Sequence, residues 1–217
     1  MQNNNIIKLY EKLLEKYGQP EGQWKLWCKR PAFGEARCKR PKNVCQREEV
    51  IIGAILTQRA NWKNVMLAID NLKKAKIHTL SAIHRLGLRN KKKFADLIRP
   101  SGFYKQKCEY LLEMAKFFKK FGGIKKVQKI ELKELREKLL DLHGVGPETA
   151  DSILLYGLDK PIFVIDEYTR RLVKKEKIAR NLSYDHLQKL FESNLPRDFA
   201  LYQDFHALIV INGKNGK

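Results

Sequence analysis

The chain has 217 residues, enough for one domain or two small lobes with a real core. Its 44 Lys and Arg against 24 Asp and Glu give a formal charge of +20, and its 43% hydrophobic content argues against a disordered chain. No apolar run approaches membrane-spanning length, and a protein this basic is expected to meet a polyanion, most often nucleic acid.

The first predicted element is the N-terminal "MQNNNIIKLYEKLLEKYG". Charges interrupt its apolar pattern, so it reads as an amphipathic helix and not as a signal peptide. The expected location is cytoplasmic, nucleoid-associated if the source is prokaryotic. Residues 17–43 follow as a basic loop rich in Pro and Gly. Cys28, Cys38 and Cys45 have nine and six residues between them, which fits no common zinc knuckle. They read as free thiols, and no metal site is expected.

Beyond the loop the periodicity is helical nearly everywhere, which makes the fold class all-α. "EEVIIGAILT", 48–57, is mostly apolar and should be a central, buried helix. Trp62, Val65, Met66, Ile69 and Leu72 mark the next helix, Leu111, Leu112, Ala115 and Phe118 another, and Leu132, Leu135 and Leu139 a third. "RPSGFY", 99–104, is a turn, and "FGGI", 121–124, ends a helix. "PIFVI", 161–165, is a short apolar run with no evident partner strand and reads as a buried extended connector. "NLPRD", 194–198, separates the last two helical segments.

The most informative stretch is "DLHGVGPETADSILLYGLDKPIFVIDEYTRR", 141–171. One helix ends near Leu140, and a second begins around Pro147, where a missing N–H costs nothing. Between them, Gly144 and Gly146 permit unusual backbone angles and close approach of another molecule. Taken alone this is a tight turn, and Asp166 is a helix cap. With the charge in view, the amides at the start of the second helix suit a DNA phosphate. Asp166 follows Gly146 by 20 residues, beyond one helix and the connector, so it can return to the DNA-facing side. A carboxylate near DNA repels phosphates, and chemistry could explain its presence.

This stretch resembles the helix-hairpin-helix–Gly/Pro–Asp signature of the endonuclease III superfamily of DNA glycosylases. "EEVIIGAILTQRANWKNVMLAIDNL" resembles its core helix with a Thr-Gln motif, "IRPSGFYKQKCEYLLEMAKFF" its G-x-Y-x-x-K-A segment, and "LYQDFHALIVINGK" its C-terminal helix. The resemblance implies two helical lobes with a DNA groove between them. One lobe, 40–160, is a helical barrel carrying the hairpin at about 139–157. The other joins 1–39 to 161–217 and brings the catalytic acid. The implied partner is double-stranded DNA with a flipped, damaged base, bound by a monomer, with no membrane involved. Gly144, Val145, Gly146, Thr149, Gln58 and Arg59 are the implied DNA-binding residues, with Gln58 filling the gap in the duplex. Asp166 matches the catalytic aspartate, which stabilises positive charge on the sugar and orients or deprotonates water.

Two departures from endonuclease III bear on the reaction. Where bifunctional members carry a Schiff-base lysine, this chain has Glu148, so base release without efficient strand nicking is expected. No cysteine follows Cys108, so no iron–sulfur cluster of the family's kind is expected, while the resemblance allows a monovalent cation at the hairpin. Both departures resemble the 3-methyladenine branch, as does "RPSGFYKQK". An alkylated, cationic purine would suit aromatic faces, for which Trp24, Trp27 and Tyr104 are the candidates, with Trp62 read as core by its helical spacing. An oxidised-pyrimidine glycosylase with lyase activity, a G·U or G·T mismatch glycosylase and a non-enzymatic hairpin module stand as alternatives.

Overall fold

The computed structural model describes residues 5–20 and 40–215; Trp24, Trp27, Cys28 and Cys38 lie outside them. The described residues form helices joined by turns and extended linkers, with no strand among them. They fall into two compact units. One spans Arg40–Leu158, and the other joins the N-terminal helix to the chain from Asp159 onward.

The Arg40–Leu158 unit is built around α2 (Val44–Leu56), whose Val50, Ile51, Ile52, Ile55 and Leu56 are all buried. Apolar side chains surround nearly its whole second half, which is why it sits inside the unit and not at its surface. Asn43 caps it by accepting the Gln46 N–H at 2.9 Å. Around it pack α3 (Trp62–Lys74), α5 (Tyr104–Lys120), α6 (Ile124–Val127) and α8 (Pro147–Ser152). α4 (Leu80–Leu97) lies along α5 and is two helical pieces joined at Asn90, whose side chain caps the second by accepting the Lys93 N–H at 2.9 Å. α7 (Leu132–Leu140) begins at Glu131, whose carboxylate accepts the N–H groups of Lys133 and Glu134.

After α8 the chain continues as a π-helical turn, Ile153–Gly157, fully buried against α2. The Gly157 carbonyl accepts from Arg47 at 3.0 Å, and a Cβ at Gly157 would lie 3.0 Å from Ile51. Glycine at 157 therefore lets the turn lie close against the Ile51 side chain.

The other unit packs α1 (Asn5–Tyr17) on α11 (Phe199–Asn215), with α9 (Glu167–Lys175) and α10 (Tyr184–Asn194) beside them. Its core is aromatic: Phe163 stacks on Phe191 with centroids 4.4 Å apart and meets Phe205 edge-on at 5.7 Å. Residues 161–165 are the extended connector expected from sequence, with Ile162 to Ile165 buried. Lacking a partner strand, the connector pairs its backbone with α10 side chains. The Phe163 N–H donates to Glu192 at 2.8 Å, and Gln188 donates to the Phe163 carbonyl at 2.8 Å. The connector thus delivers Asp166 to the start of α9 in a fixed position.

Candidate active site

The hairpin runs from Leu140, the end of α7, to Pro147, the start of α8, as the sequence predicts. Its two glycines do different things. Gly144 has φ +83°, and a Cβ there would lie 2.3 Å from the Tyr110 ring, so conformation and space both demand glycine. Gly146 is extended at φ −88°, ψ 176°, and a Cβ there would meet nothing within 4 Å. It is the N-cap of α8, and neither conformation nor space requires glycine there. Val145 is 5% exposed, so its side chain is packed inside the hairpin.

Two further interactions hold the hairpin. Gln58 donates through Nε2 to the Gly144 carbonyl at 2.8 Å and to the Thr149 hydroxyl at 3.0 Å. The α7–α8 pair is clamped by a forked ion pair: Arg136 Nε meets Asp151 Oδ1 at 2.7 Å, and Nη2 meets Oδ2 at 3.0 Å. Asp151 is fully buried.

Beside the hairpin lies an open cavity of about 590 Å³. It brings together Gln58, Arg59, Gly144, Gly146, Glu148 and Thr149 from the predicted set, and adds Phe103, Gln106, Lys107 and Tyr110. Tyr104 is not in this lining; Arg99 lies over its ring at 5.7 Å. Arg59 and Phe103 both have positive φ, +48° and +46°, which side-chain-bearing residues seldom adopt. Their two loops are tied together by Lys107, which is 1% exposed and donates to the Leu56 carbonyl at 2.8 Å and the Ser101 carbonyl at 2.7 Å. Burial pushes the Lys107 ammonium down to about 8.

In the other unit, Asp166 is the N-cap of α9. Its Oδ1 accepts from Thr169 twice, from the N–H at 2.8 Å and the hydroxyl at 2.9 Å. His206 Nε2, on α11, lies 3.5 Å from Oδ2, long for a hydrogen bond. Burial pushes the Asp166 carboxyl up, but His206 and the two Thr169 donors outweigh it and hold the group below the usual carboxylate range. The cap role and the functional role are therefore compatible. One oxygen is spent on the helix, and the group as a whole stays ionised.

The sequence profile of the HhH-GPD superfamily of base excision DNA repair proteins matches residues 52–197. The chain belongs to that superfamily. It is 40% identical over 209 residues to a Methanocaldococcus jannaschii protein with the provisional name DNA repair glycosylase, covering 94% of this chain and 85% of that one. To endonuclease III of Thermotoga maritima it is 27% identical over 150 residues, covering 69% and 65%. Among solved structures, the Helicobacter pylori 3-methyladenine DNA glycosylase MagIII, bound to 1,N6-ethenoadenine, superposes with a TM-score of 0.74 at 27% identity over 100% of this chain and 99% of that one. A trapped endonuclease III–DNA covalent intermediate shares the fold, with a TM-score of 0.71 at 17% identity over 99% and 87%. Family and fold are those the motifs indicated, and the coarse assignment is a base excision repair DNA glycosylase.

Sequence reasoning missed the residues that hold the named ones in place. Thr169 was detectable in part, because an Asp read as a helix cap accepts the N–H two or three residues on. His206, Tyr110 and Arg136 gave no local signal, and Lys107, the lysine of the G-x-Y-x-x-K-A segment, gave no sign that it is buried. Of the four cysteines, Cys45 is exposed and Cys108 buried, both as free thiols. No described helix is long and apolar enough to cross a membrane.

Proposed function

We propose that the protein is a monofunctional glycosylase, hydrolysing the bond between deoxyribose and a damaged base, with an alkylated purine such as 3-methyladenine as the preferred leaving group. The observation that carries this is the Asp166 carboxylate, held ionised by Thr169 and His206. The reaction needs a fixed negative charge next to a sugar that becomes oxocarbenium-like as the bond breaks. The bonding electrons leave with the base, water oxygen joins C1′, and the water proton passes to Asp166 or solvent. When the base is already cationic, those electrons neutralise it, and no acid has to protonate it.

The hairpin holds the DNA backbone in this reading. Gly146 leaves room for a phosphate against its N–H, and the adjoining Gly144 backbone is fixed by Gln58 and Tyr110. Phe103 supports a distorted duplex. It is 59% exposed in a strained backbone conformation, and stacking on bases would cover that ring. Gln58 serves the gap in the duplex from the same cavity, with Arg59 on the backbone.

Glu148 supports hydrolysis without strand cleavage. It stands in the first turn of α8, lining the cavity, where a Schiff-base amine would be needed. The one lysine that lines the cavity, Lys107, is buried with two carbonyls on its ammonium and is poorly placed to attack a sugar. Similarity to MagIII supports the choice of an alkylated purine. The reading takes the protein as a monomer acting in the cytoplasm or nucleoid, with no metal or iron–sulfur cluster in the reaction.

The test is a panel of duplexes carrying methylated purine, 1,N6-ethenoadenine, oxidised pyrimidine, or G·U and G·T mismatches, scored with and without alkali and with borohydride. The proposal expects release of the alkylated purine, strand breaks only after alkali, and no borohydride-trapped adduct. Preferential release of oxidised pyrimidine with direct nicking and trapping would replace it with the lyase reading.

A further inference from the structure

Residues 116–129 hold six lysines and no acid. They carry six of the twenty excess positive charges, 44 − 24, on 14 residues. The fold gathers them on one corner. α5 ends at Lys120, and Gly122 and Gly123, at φ +77° and +87°, reverse the chain into the single turn of α6. Ile124 and Val127, 2% and 0% exposed, pin α6 inward, which leaves Lys125, Lys126 and Lys129 outward, beside Lys119 and Lys120 of the last α5 turn. Among the described residues none of these five takes part in an ion pair. Lys116 alone is neutralised, by Glu113 at 2.7 Å.

The corner is also tied to the hairpin. Lys120 and Lys138 both lie over the Phe121 ring, at 5.7 and 5.5 Å from its centroid. Phe121 thus contacts ammonium groups from both α5 and α7, and that of Lys138 also lies 3.5 Å from Glu134. Lys138 lies in the last turn of α7, two residues before Leu140 and the start of the hairpin. On α5, Tyr110, which packs against Gly144 of the hairpin, and Lys120 lie ten residues and so about 15 Å apart, the span of four to five base pairs along a duplex.

We infer that this corner is a second DNA-backbone site, binding phosphates of the undamaged duplex that flanks the hairpin-bound segment. Charge complementarity and continuity with the hairpin through α7 select duplex DNA as the occupant over other polyanions. The inference rests on the hairpin being a phosphate grip. The corner adds affinity and salt sensitivity on long DNA and takes no part in breaking the glycosidic bond.

The test compares the intact protein with the quadruple variant Lys119→Gln, Lys120→Gln, Lys125→Gln, Lys126→Gln. The probes are an 11-base-pair duplex centred on the lesion and a 35-base-pair duplex with the lesion in the middle. Each phosphate contact contributes roughly 0.9 to the slope of log K against log salt. On the long duplex the variant should lose a slope of about 2 to 3 and bind about 10-fold or more weakly at moderate salt. On the short duplex binding should change less than about 2-fold, and single-turnover base release at saturating DNA should match wild type. The quadruple Lys→Arg variant keeps the charge and should keep the slope, which separates lost charge from disturbed folding.

An unchanged slope on long DNA overturns the inference. So does equal weakening on both duplexes, which would put the lysines at the lesion itself. Weakened retention on heparin with an unchanged DNA slope would assign the corner to another polyanion and also overturn it. Failure of the hairpin reading looks different: Gly146→Leu would then leave binding to the short duplex intact.

Discussion

Thr169 gives two hydrogen bonds to one oxygen of Asp166, from its N–H at 2.8 Å and its hydroxyl at 2.9 Å, and is itself fully buried. With His206 as the larger influence, these bonds help keep a helix-capping residue charged. The folded-state carboxyl lies below its unfolded value, so its stabilising contribution is present above the unfolded carboxylate pKa and is lost as pH falls through the lower, folded one. Thr169→Val removes the hydroxyl donor and leaves the backbone one. The Asp166 pKa should rise, and the acid limb of single-turnover base release should move to higher pH, with about 1 kcal/mol of stability lost. Thr169→Ser should restore the wild-type limb. A Thr169→Val profile that is lower but parallel would show that the hydroxyl does not tune the carboxylate.

Gly144 and Gly146 should separate on substitution. Gly144→Ala meets both the positive φ and the Tyr110 ring and should cost about 2 kcal/mol or more, read from the urea midpoint. Gly146→Ala should unfold within about 0.5 kcal/mol of wild type yet bind lesion duplex more weakly. Equal losses of stability at the two positions would contradict the different roles assigned to them.

The Arg136–Asp151 fork is part of the hairpin's foundation. Asp151→Ala removes both of these hydrogen bonds from the Arg136 guanidinium and should cost about 2–3 kcal/mol in urea unfolding. The double variant Arg136→Met, Asp151→Leu should recover much of that loss, because no charge is left uncompensated. A double variant as unstable as Asp151→Ala would mean that packing, not charge, dominates the site.

Lys107 makes a pH prediction with the opposite sense to Asp166. Its folded pKa of about 8 lies below the ordinary lysine value, so between the two the unfolded chain holds a proton that the folded chain does not. Stability should therefore rise with pH across that window, as the cost of burying the ammonium disappears. Measured against Lys107→Met, wild type should gain about 1–3 kcal/mol between pH 7 and pH 10. A difference independent of pH would show that the two carbonyls fully compensate burial.

Local pattern was enough for the helices and for the hairpin ends at Leu140 and Pro147, because period, Pro and Gly act within a few residues. It also exposed "PIFVI" as extended, although not that Gln188 and Glu192 would take the place of a partner strand. The long-range supports stayed hidden. Gln58 reaches the hairpin across 86 residues, and Lys107 reaches Leu56 across 51. A lysine in sequence reads as a surface residue, and nothing nearby marks Lys107 as buried. Gly146 reads as a conformational glycine beside Gly144, but its φ is one any residue adopts.

The central claim is that Asp166 is the group that makes base release fast. Asn also caps helices well, so Asp166→Asn should fold and bind lesion duplex within a few-fold of wild type. Its single-turnover release of the alkylated purine should fall by about 100-fold or more. Release within a few-fold of wild type would contradict the account and leave Asp166 as a helix cap alone.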